Sequence, residues 1–376
     1  MIKNIDKILV YSGGETIGDG LYKLNFIQNL RNKFPKSHIT WMAGKGPTEY
    51  SRSLKPLISS LLDLIREDVR IGRNPLKELV LFNPLKDENF DLIIDTQTVV
   101  IPTIIIKKIR HRIFLSSTAN WFFSDLKPKK DHKVTRSLNE KLNLFISLLI
   151  DEYPLKQINN NKIHNLYDLK YMNLAKKLLP NGQQYIGIAP GAGDKQKIWP
   201  IENFIKIATE QTKKNRKPVF FLGPSEKKLV PYIRKQVPEA LLPEWDNLTI
   251  NSGLKGPILV IALASRLTLG IANDSGAGHM LAAGGSPLIS LFSKHNPSKY
   301  APISYNIKII DSKDWGGTEP KLIPIKVVIS SIENIIKEKL KQTGYFLSTE
   351  SQLIIITTTM ILDYIFHVIM GLNLKE

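Results

Sequence analysis

The feature that most constrains this chain is a short apolar run that stops in a glycine-rich turn and hands over to a helical pattern. Ile8–Tyr11 runs into Ser12-Gly13-Gly14, and Tyr185–Ala189 into Pro190-Gly191-Ala192-Gly193. Leu267–Ile271 is followed by the turn Asn273-Asp274-Ser275-Gly276. Runs this short, apolar throughout and bounded by turn residues, read as strands buried on both faces. Strands that alternate with helical stretches imply βαβ units and parallel sheets, an α/β class.

The alternation occurs twice. In the first half an amphipathic helix is predicted from about Gly20 to Phe34, then strands at His38–Met42 and Asp91–Asp95. Ile104–Ile109 and Arg112–Leu115 continue the alternation. Residues 151–182 are polar, Asn-rich around Gln157–Asn165, and end at Pro180-Asn181-Gly182, a candidate linker. The second half restarts at Tyr185. Pro200 is placed to begin a helix running to about Lys214. Val219–Leu222 and Leu288–Phe292 are further strands, and a short helix ends at Gly284-Gly285. The expected organisation is an N-terminal Rossmann-like domain over 1–175, a C-terminal one over 176–345, and an apolar helix over 346–376. A chain of 376 residues accommodates two domains.

Composition narrows the function. Cysteine is absent, so disulfides, thiolate nucleophiles and zinc-thiolate sites are excluded. With 52 Lys+Arg against 34 Asp+Glu the formal charge is +18, a field that attracts polyanions such as phosphorylated sugars or an anionic membrane face. No zinc-finger spacing or aromatic RNA-binding signature accompanies the basic residues, so nucleic acid is not an expected partner. The N-terminus lacks a signal-peptide pattern, and no segment inside 1–345 reads as a membrane span. A cytoplasmic location is expected, with the inner face of the cytoplasmic membrane as a point of contact.

Four loops carry candidate chemistry. Gly13-Gly14-Glu15-Thr16-Ile17-Gly18-Asp19-Gly20 lies at the end of the first strand, where α/β sheets place ligands. It has neither dinucleotide-fingerprint nor Walker spacing. Asp19 is either a ligand-facing carboxylate or a helix cap. Pro190-Gly191-Ala192-Gly193-Asp194-Lys195-Gln196-Lys197 joins free backbone N–H groups to two ammonium charges, suited to a diphosphate; a solvated loop is the plain alternative. Asp274-Ser275-Gly276-Ala277-Gly278-His279 opens a helix with small residues that let its N–H groups approach a phosphate. Asp274 is a candidate cap or sugar ligand, and His279 a candidate ligand or a packed core histidine. Glu226, just after Phe221-Leu222-Gly223-Pro224-Ser225, is a candidate ribose or base contact.

These residues, in order, resemble the ADP-heptose:lipopolysaccharide heptosyltransferase family, glycosyltransferase family nine. The resemblance rests on Gly18-Asp19-x-Leu21, on Phe90-Asp91-Leu92-Ile93-Ile94-Asp95-Thr96-Gln97, on Lys197-Ile198-Trp199-Pro200, and on Asp274-Ser275-Gly276-Ala277-Gly278-His279. Asn25 stands where many members have proline, Thr98 where glycine is usual, and 311–376 does not match well. The resemblance implies a GT-B fold, two Rossmann-like domains facing each other across a cleft. It also implies an inverting mechanism without metal or cofactor; no D-x-D occurs in the chain. The implied partners are a nucleotide-sugar donor, ADP-linked, and a glycolipid or oligosaccharide acceptor. By position Asp19 is the implied general base and Lys197 the implied donor-phosphate contact, with Glu226 holding the nucleoside. Ser275, Gly276 and Ala277 are implied at the phosphates, supported by Asp274 and His279, with Gly191 and Lys195 on the same donor side. Gly18, Asp95 and Gln97 are expected on the acceptor side.

Two segments are left over. Lys127, Lys129, Lys130, Lys133 and Arg136 form a basic run in the half expected to handle the acceptor, so Lys129 and Lys130 are candidate acceptor or membrane contacts, or a solvated loop. Residues 353–374 are strongly apolar, but Asp363 and His367 on one helical face argue against a lipid-exposed span. A packed final helix is the expectation and a peripheral anchor the alternative. Two other functions fit the pattern: a nucleotide-sugar epimerase, and a non-catalytic nucleotide-binding protein at a membrane.

Overall fold

The computed structural model describes residues 4–71, 75–81, 84–129, 138–150, 163, 166–339 and 341. The chain divides into two compact units, Met1–Ile325 and Lys326–Glu376. The second is described only over 326–339, which is helical, and residue 341. Lys130, Lys133, Arg136 and the apolar stretch 353–374 lie outside the described residues. No described helix is long and apolar enough to cross a membrane.

The first unit contains two parallel sheets. The first half runs β1 (Lys7–Ser12), α1 (Ile17–Lys33), β2 (His38–Ala43), α2 (Lys55–Ile58), β3 (Leu64–Arg66), α3 (Pro75–Leu81), β4 (Asn89–Asp95), α4 (Val100–Lys107), β5 (Arg110–Ser116), α5 (Leu138–Ile150) and α6 (Leu169–Leu178). The second runs β6 (Tyr185–Ala189), α7 (Ile201–Lys213), β7 (Lys217–Phe220), α8 (Leu229–Gln236), α9 (Asn247–Ser252), α10 (Pro257–Ala264), β8 (Leu269–Asn273), α11 (Gly276–Ala283), β9 (Leu288–Phe292), α12 (Pro297–Tyr300) and β10 (Ile307–Asp311). The strand orders are β3-β2-β1-β4-β5 and β10-β9-β8-β6-β7. β6, β8 and β9 are buried along their whole length, which is why they read as unbroken apolar runs.

Each sheet reverses its strand order once, and ligands of open α/β sheets sit at that reversal. In the first sheet it falls between β1 and β4, with Tyr11 opposite Asp95. In the second it falls between β6 and β8, with Ala189 opposite Ala272. All the glycine-rich motifs therefore emerge at the two reversal points.

Several expectations shift locally. Pro200 is the N-cap of α7 rather than its first helical residue, and α7 ends at Lys213. Ile104–Lys107 is helical, within α4. Asp19 does not cap α1: Thr16 does, accepting from the Asp19 backbone N–H, so Asp19 sits one turn in. α10 was not anticipated. Its sequence PILVIALA is buried all round and so shows no amphipathic period.

Asn25, which stands where proline is common in the resembling family, has a local cause. Its Oδ1 accepts from Asn29 at 3.2 Å and from Asn143 of α5 at 3.2 Å, while Asn29 donates to Asn143 at 2.9 Å. This amide ladder ties α1 to α5, and proline would remove it along with a helical N–H.

Candidate active site

The halves meet where α1 and α11 begin. A Cβ on Gly18 would lie 3.1 Å from the His279 ring, and one on Gly276 would lie 3.8 Å from the Gly18 nitrogen. A side chain at Gly18 would press on the His279 ring, whereas a Cβ at Gly276 would make ordinary contact. Around this junction lie two cavities relevant to the motifs.

The smaller, about 200 Å³, is lined by Gly191–Gly193, Ser225, Glu226, Glu244 and Ser275–Ala277, with Ile17 of α1 and the apolar Phe221, Val260 and Met280. Ser275 is the N-cap of α11, but its side chain caps nothing. Its hydroxyl is buried without a hydrogen-bond partner among the described residues. The first N–H groups of a helix have no intrahelical acceptor, so this tip offers amides, a hydroxyl and the positive end of the helix dipole. Gly191 lets Glu226 lie over its backbone: a Cβ there would meet Glu226 Oε1 at 2.5 Å and displace that side chain.

A buried asparagine holds the two loops of this cavity in register. Asn273 Nδ2 donates to the Pro190 carbonyl at 2.7 Å, and its Oδ1 accepts from the Trp199 N–H at 3.2 Å. The Trp199 indole donates to the Ile323 carbonyl at 3.1 Å. Lys197 is thereby brought to Asp274, with Nζ 3.2 Å from Oδ2; His295 Nδ1 lies 2.8 Å from the same oxygen.

The larger cavity, about 510 Å³, is lined by Gly14, Asp19, Lys23, Thr96–Val99, Ser117 and residues of α5 including Lys141. The second half adds Asn296, Ser298 and Lys299. Asp19 is exposed here, and its Oδ2 accepts from the Thr16 hydroxyl at 2.9 Å. Beneath it lies a buried ion pair, Lys23 to Glu15 at 2.9 Å. Glu15 also accepts from Ser12, from Thr48 at 2.5 Å and from the Trp41 indole at 3.1 Å. Burial alone would raise the Glu15 pKa. The Lys23 charge and the hydroxyl donors outweigh burial and hold it below the usual carboxylate range. The pair braces the loop between β1 and α1, next to the first helical turn that carries Asp19.

The family model of glycosyltransferase family 9 (heptosyltransferase) matches residues 79–321, well over half of the 376. The chain belongs to glycosyltransferase family 9. The lipopolysaccharide core heptosyltransferase OpsX of Haemophilus influenzae is 24% identical over 300 residues, 76% of this chain and 79% of that one. A family 9 glycosyltransferase of Veillonella parvula superposes with a TM-score of 0.62 at 19% identity, covering 89% and 97% of the two chains. Escherichia coli heptosyltransferase WaaC, solved with ADP, gives 0.58 at 15% identity over 88% and 99%. The fold is GT-B, and this glycosyltransferase carries its two α/β domains in that arrangement.

The family 9 enzyme brings many of the singled-out residues together and leaves others apart. Gly191, Glu226, Ser275, Gly276 and Ala277 share the smaller cavity. Asp19 and Gln97 share the larger one. Lys197 and Asp274 pair beside Ser275. His279 lines neither cavity. It packs edge-on against Tyr22 at 6.1 Å, and burial pushes its pKa down to about 4, so the ring is neutral near pH 7. Lys195 faces a different hollow, with Lys294 and Lys321. Asp95 is fully buried, accepting from Thr103 at 2.5 Å, Ser116 at 2.9 Å and the Gln97 N–H at 2.9 Å. It shapes the turn that presents Gln97. Lys129 is exposed, and Lys130 lies outside the described residues.

Sequence reasoning missed Glu244, Lys141 and Lys299, which no motif contains. It also missed Asn273 as the clamp, although its place between β8 and the Asp274 turn was visible. Burial pushes the Glu244 carboxyl up to about 7, with Glu226 adding to the shift.

Proposed function

We propose that this family 9 enzyme is an inverting, metal-independent heptosyltransferase that moves heptose from ADP-heptose to a hydroxyl of a lipopolysaccharide-type glycan. Support for the sugar and its carrier comes from relatives: OpsX is a lipopolysaccharide core heptosyltransferase, and WaaC has been solved with ADP and with ADP-2-deoxy-2-fluoro heptose. The observation that carries the reading is the junction itself. An exposed carboxylate, Asp19, projects one turn into α1, and the start of α1 touches the uncapped tip of α11.

In this reading the donor diphosphate rests on the N–H groups of Gly276 and Ala277 and on the Ser275 hydroxyl. Lys197, released from or shared with Asp274, adds a cation. The Glu226 carboxylate, over Gly191, accepts from nucleoside hydroxyls. The acceptor occupies the larger cavity, where Gln97, Lys141 and Lys299 face it. Asp19 accepts the acceptor hydroxyl proton as that oxygen forms a bond to the anomeric carbon. The bond from that carbon to the diphosphate breaks on the opposite face, which inverts the configuration. The leaving negative charge develops at the helix tip, where fixed dipoles and the Lys197 ammonium stabilise it without a metal ion. Contact with the membrane is peripheral in this reading.

The test is transfer by the purified full chain from ADP-heptose to a deacylated lipopolysaccharide core acceptor in excess EDTA. Product formation with inverted anomeric configuration is expected. A strict requirement for Mg²⁺ or Mn²⁺ contradicts the mechanism, and donor conversion without acceptor points instead to an epimerase.

A further inference from the structure

Asp274 is buried, and its Oδ2 faces nitrogens from two different loops. Lys197 Nζ, from the loop after β6, lies at 3.2 Å. His295 Nδ1, from the loop after β9, lies at 2.8 Å. Removing one partner of a buried ion pair is strongly unfavourable, because it leaves a buried charge uncompensated. Lys197 therefore leaves Asp274 for a diphosphate only if something else stays on that oxygen.

His295 is held so that it can stay. Its ring packs on Tyr300 with centroids 5.0 Å apart, and its carbonyl accepts from Lys313 Nζ, in the turn after β10, at 3.0 Å. The next residue, Asn296, caps α12 by accepting from the Ser298 N–H at 2.9 Å. These contacts do not involve Lys197, so the ring keeps its place when the lysine moves. The lysine carries its charge on a long flexible stem and is free to swing. Imidazole can offer Nδ1–H to a carboxylate whether the ring is neutral or charged.

We propose that His295 is a positioning residue that holds Asp274 while Lys197 turns to the donor diphosphate. The inference rests on the donor-site reading given above and adds to it a residue outside every motif in the sequence. In the free enzyme Asp274 has both partners. In the donor complex His295 alone remains, and the lysine charge is available to the phosphates. Without His295, Asp274 and the diphosphate compete for one ammonium group.

The experiment measures the ADP Kd of the full chain by calorimetry in a double-mutant cycle. His295→Phe keeps a ring against Tyr300 and removes both nitrogens. It is expected to raise the Kd by about tenfold, the size of coupling found between residues that share a partner. In a Lys197→Ala background the same substitution should change the Kd by less than about twofold, since no lysine is left to release. His295→Asn puts an amide donor close to the place of Nδ1 and should bring the Kd back to within about twofold of wild type. A penalty of equal size with and without Lys197 overturns the inference and leaves His295 a merely structural part. So does wild-type affinity in His295→Phe, or a failure of His295→Asn to recover it. If His295→Phe does not fold, His295→Ala takes its place in the cycle with the same expectations. In each of these cases weaker ADP binding by Lys197→Ala leaves the donor-site reading standing. If Lys197→Ala binds ADP as wild type does, that reading loses its lysine and the inference falls with it.

Discussion

Compared with the larger cavity around Asp19, the smaller one sets a helix tip and a glycine loop beside the side chains of Phe221, Glu226, Glu244, Val260 and Met280. In the proposed reading its anion-binding surface is the helix tip, the glycine loop and one unpartnered hydroxyl, with Ile17 the single contribution of the first half among the described residues. The larger cavity is walled by side chains from both halves: Asp19, Lys23, Gln97 and Lys141 from one, Asn296 and Lys299 from the other. Backbone dipoles need no rotamer to be fixed and recognise a diphosphate whatever sugar it carries. Side chains drawn from distant segments recognise a particular acceptor. In the proposed reading the smaller cavity is the donor wall, where backbone holds the diphosphate, and the larger is the acceptor wall, where side chains choose the acceptor.

The sharpest way to break this division is to remove the one side chain assigned to chemistry. Asp19→Asn is expected to lower kcat by about a thousandfold, within the usual range for a general base, while leaving the ADP Kd unchanged by calorimetry. Near-normal turnover would remove Asp19 from the mechanism. On the donor wall, Lys197→Ala is expected to raise the ADP Kd by about tenfold, the loss of a charge-assisted contact together with an unbalanced Asp274. Asp274→Asn in the same background should recover part of it. Equal Kd values would mean that the helix tip binds the diphosphate unaided.

Smaller effects sharpen the other wall. Lys141→Ala is expected to raise the acceptor KM severalfold with an unchanged ADP Kd, since an exposed or half-buried cation contributes modestly. An altered ADP Kd would erase the separation of the two walls. The last prediction concerns the scaffold. Burial pushes the Asp95 carboxyl up to about 6, only partly offset by its donors Thr103, the Gln97 N–H and Ser116. Its folded pKa exceeds the unfolded value near 4. The native state therefore holds the proton more tightly, and this stability is present below about pH 4 and is lost as pH rises through about 6. Asp95→Asn should flatten that part of a stability-versus-pH profile measured by urea unfolding. A persistent slope of the same size would assign it to other groups.

The two walls also differ in how readable they are from sequence. The donor wall is local: Pro190–Gly193 and Asp274–Ala277 are contiguous motifs, each at the end of one strand, and the fold brings them together as the α/β pattern requires. Glu226 is legible for the same reason. The acceptor wall is assembled by topology, so Lys141 and Lys299, 158 positions apart in the printed sequence, carry no signal that they meet. Glu244 was hidden because the turn around it contains no motif. α10 was hidden because complete burial erases periodicity. Lys195 shows the limit of motif reading even on the donor side. It is two residues from Lys197, yet the short helical turn at 195–197 points it into a separate hollow.

That separate hollow makes the decisive measurement straightforward to interpret. A crystal structure of the enzyme with an unreactive ADP-heptose analogue tests the central claim directly. The account predicts diphosphate oxygens within hydrogen-bond distance of the Gly276 and Ala277 N–H groups and the Ser275 hydroxyl, with the anomeric carbon turned toward Asp19. A diphosphate bound among Lys195, Lys294 and Lys321, or an anomeric carbon facing away from Asp19, would contradict it.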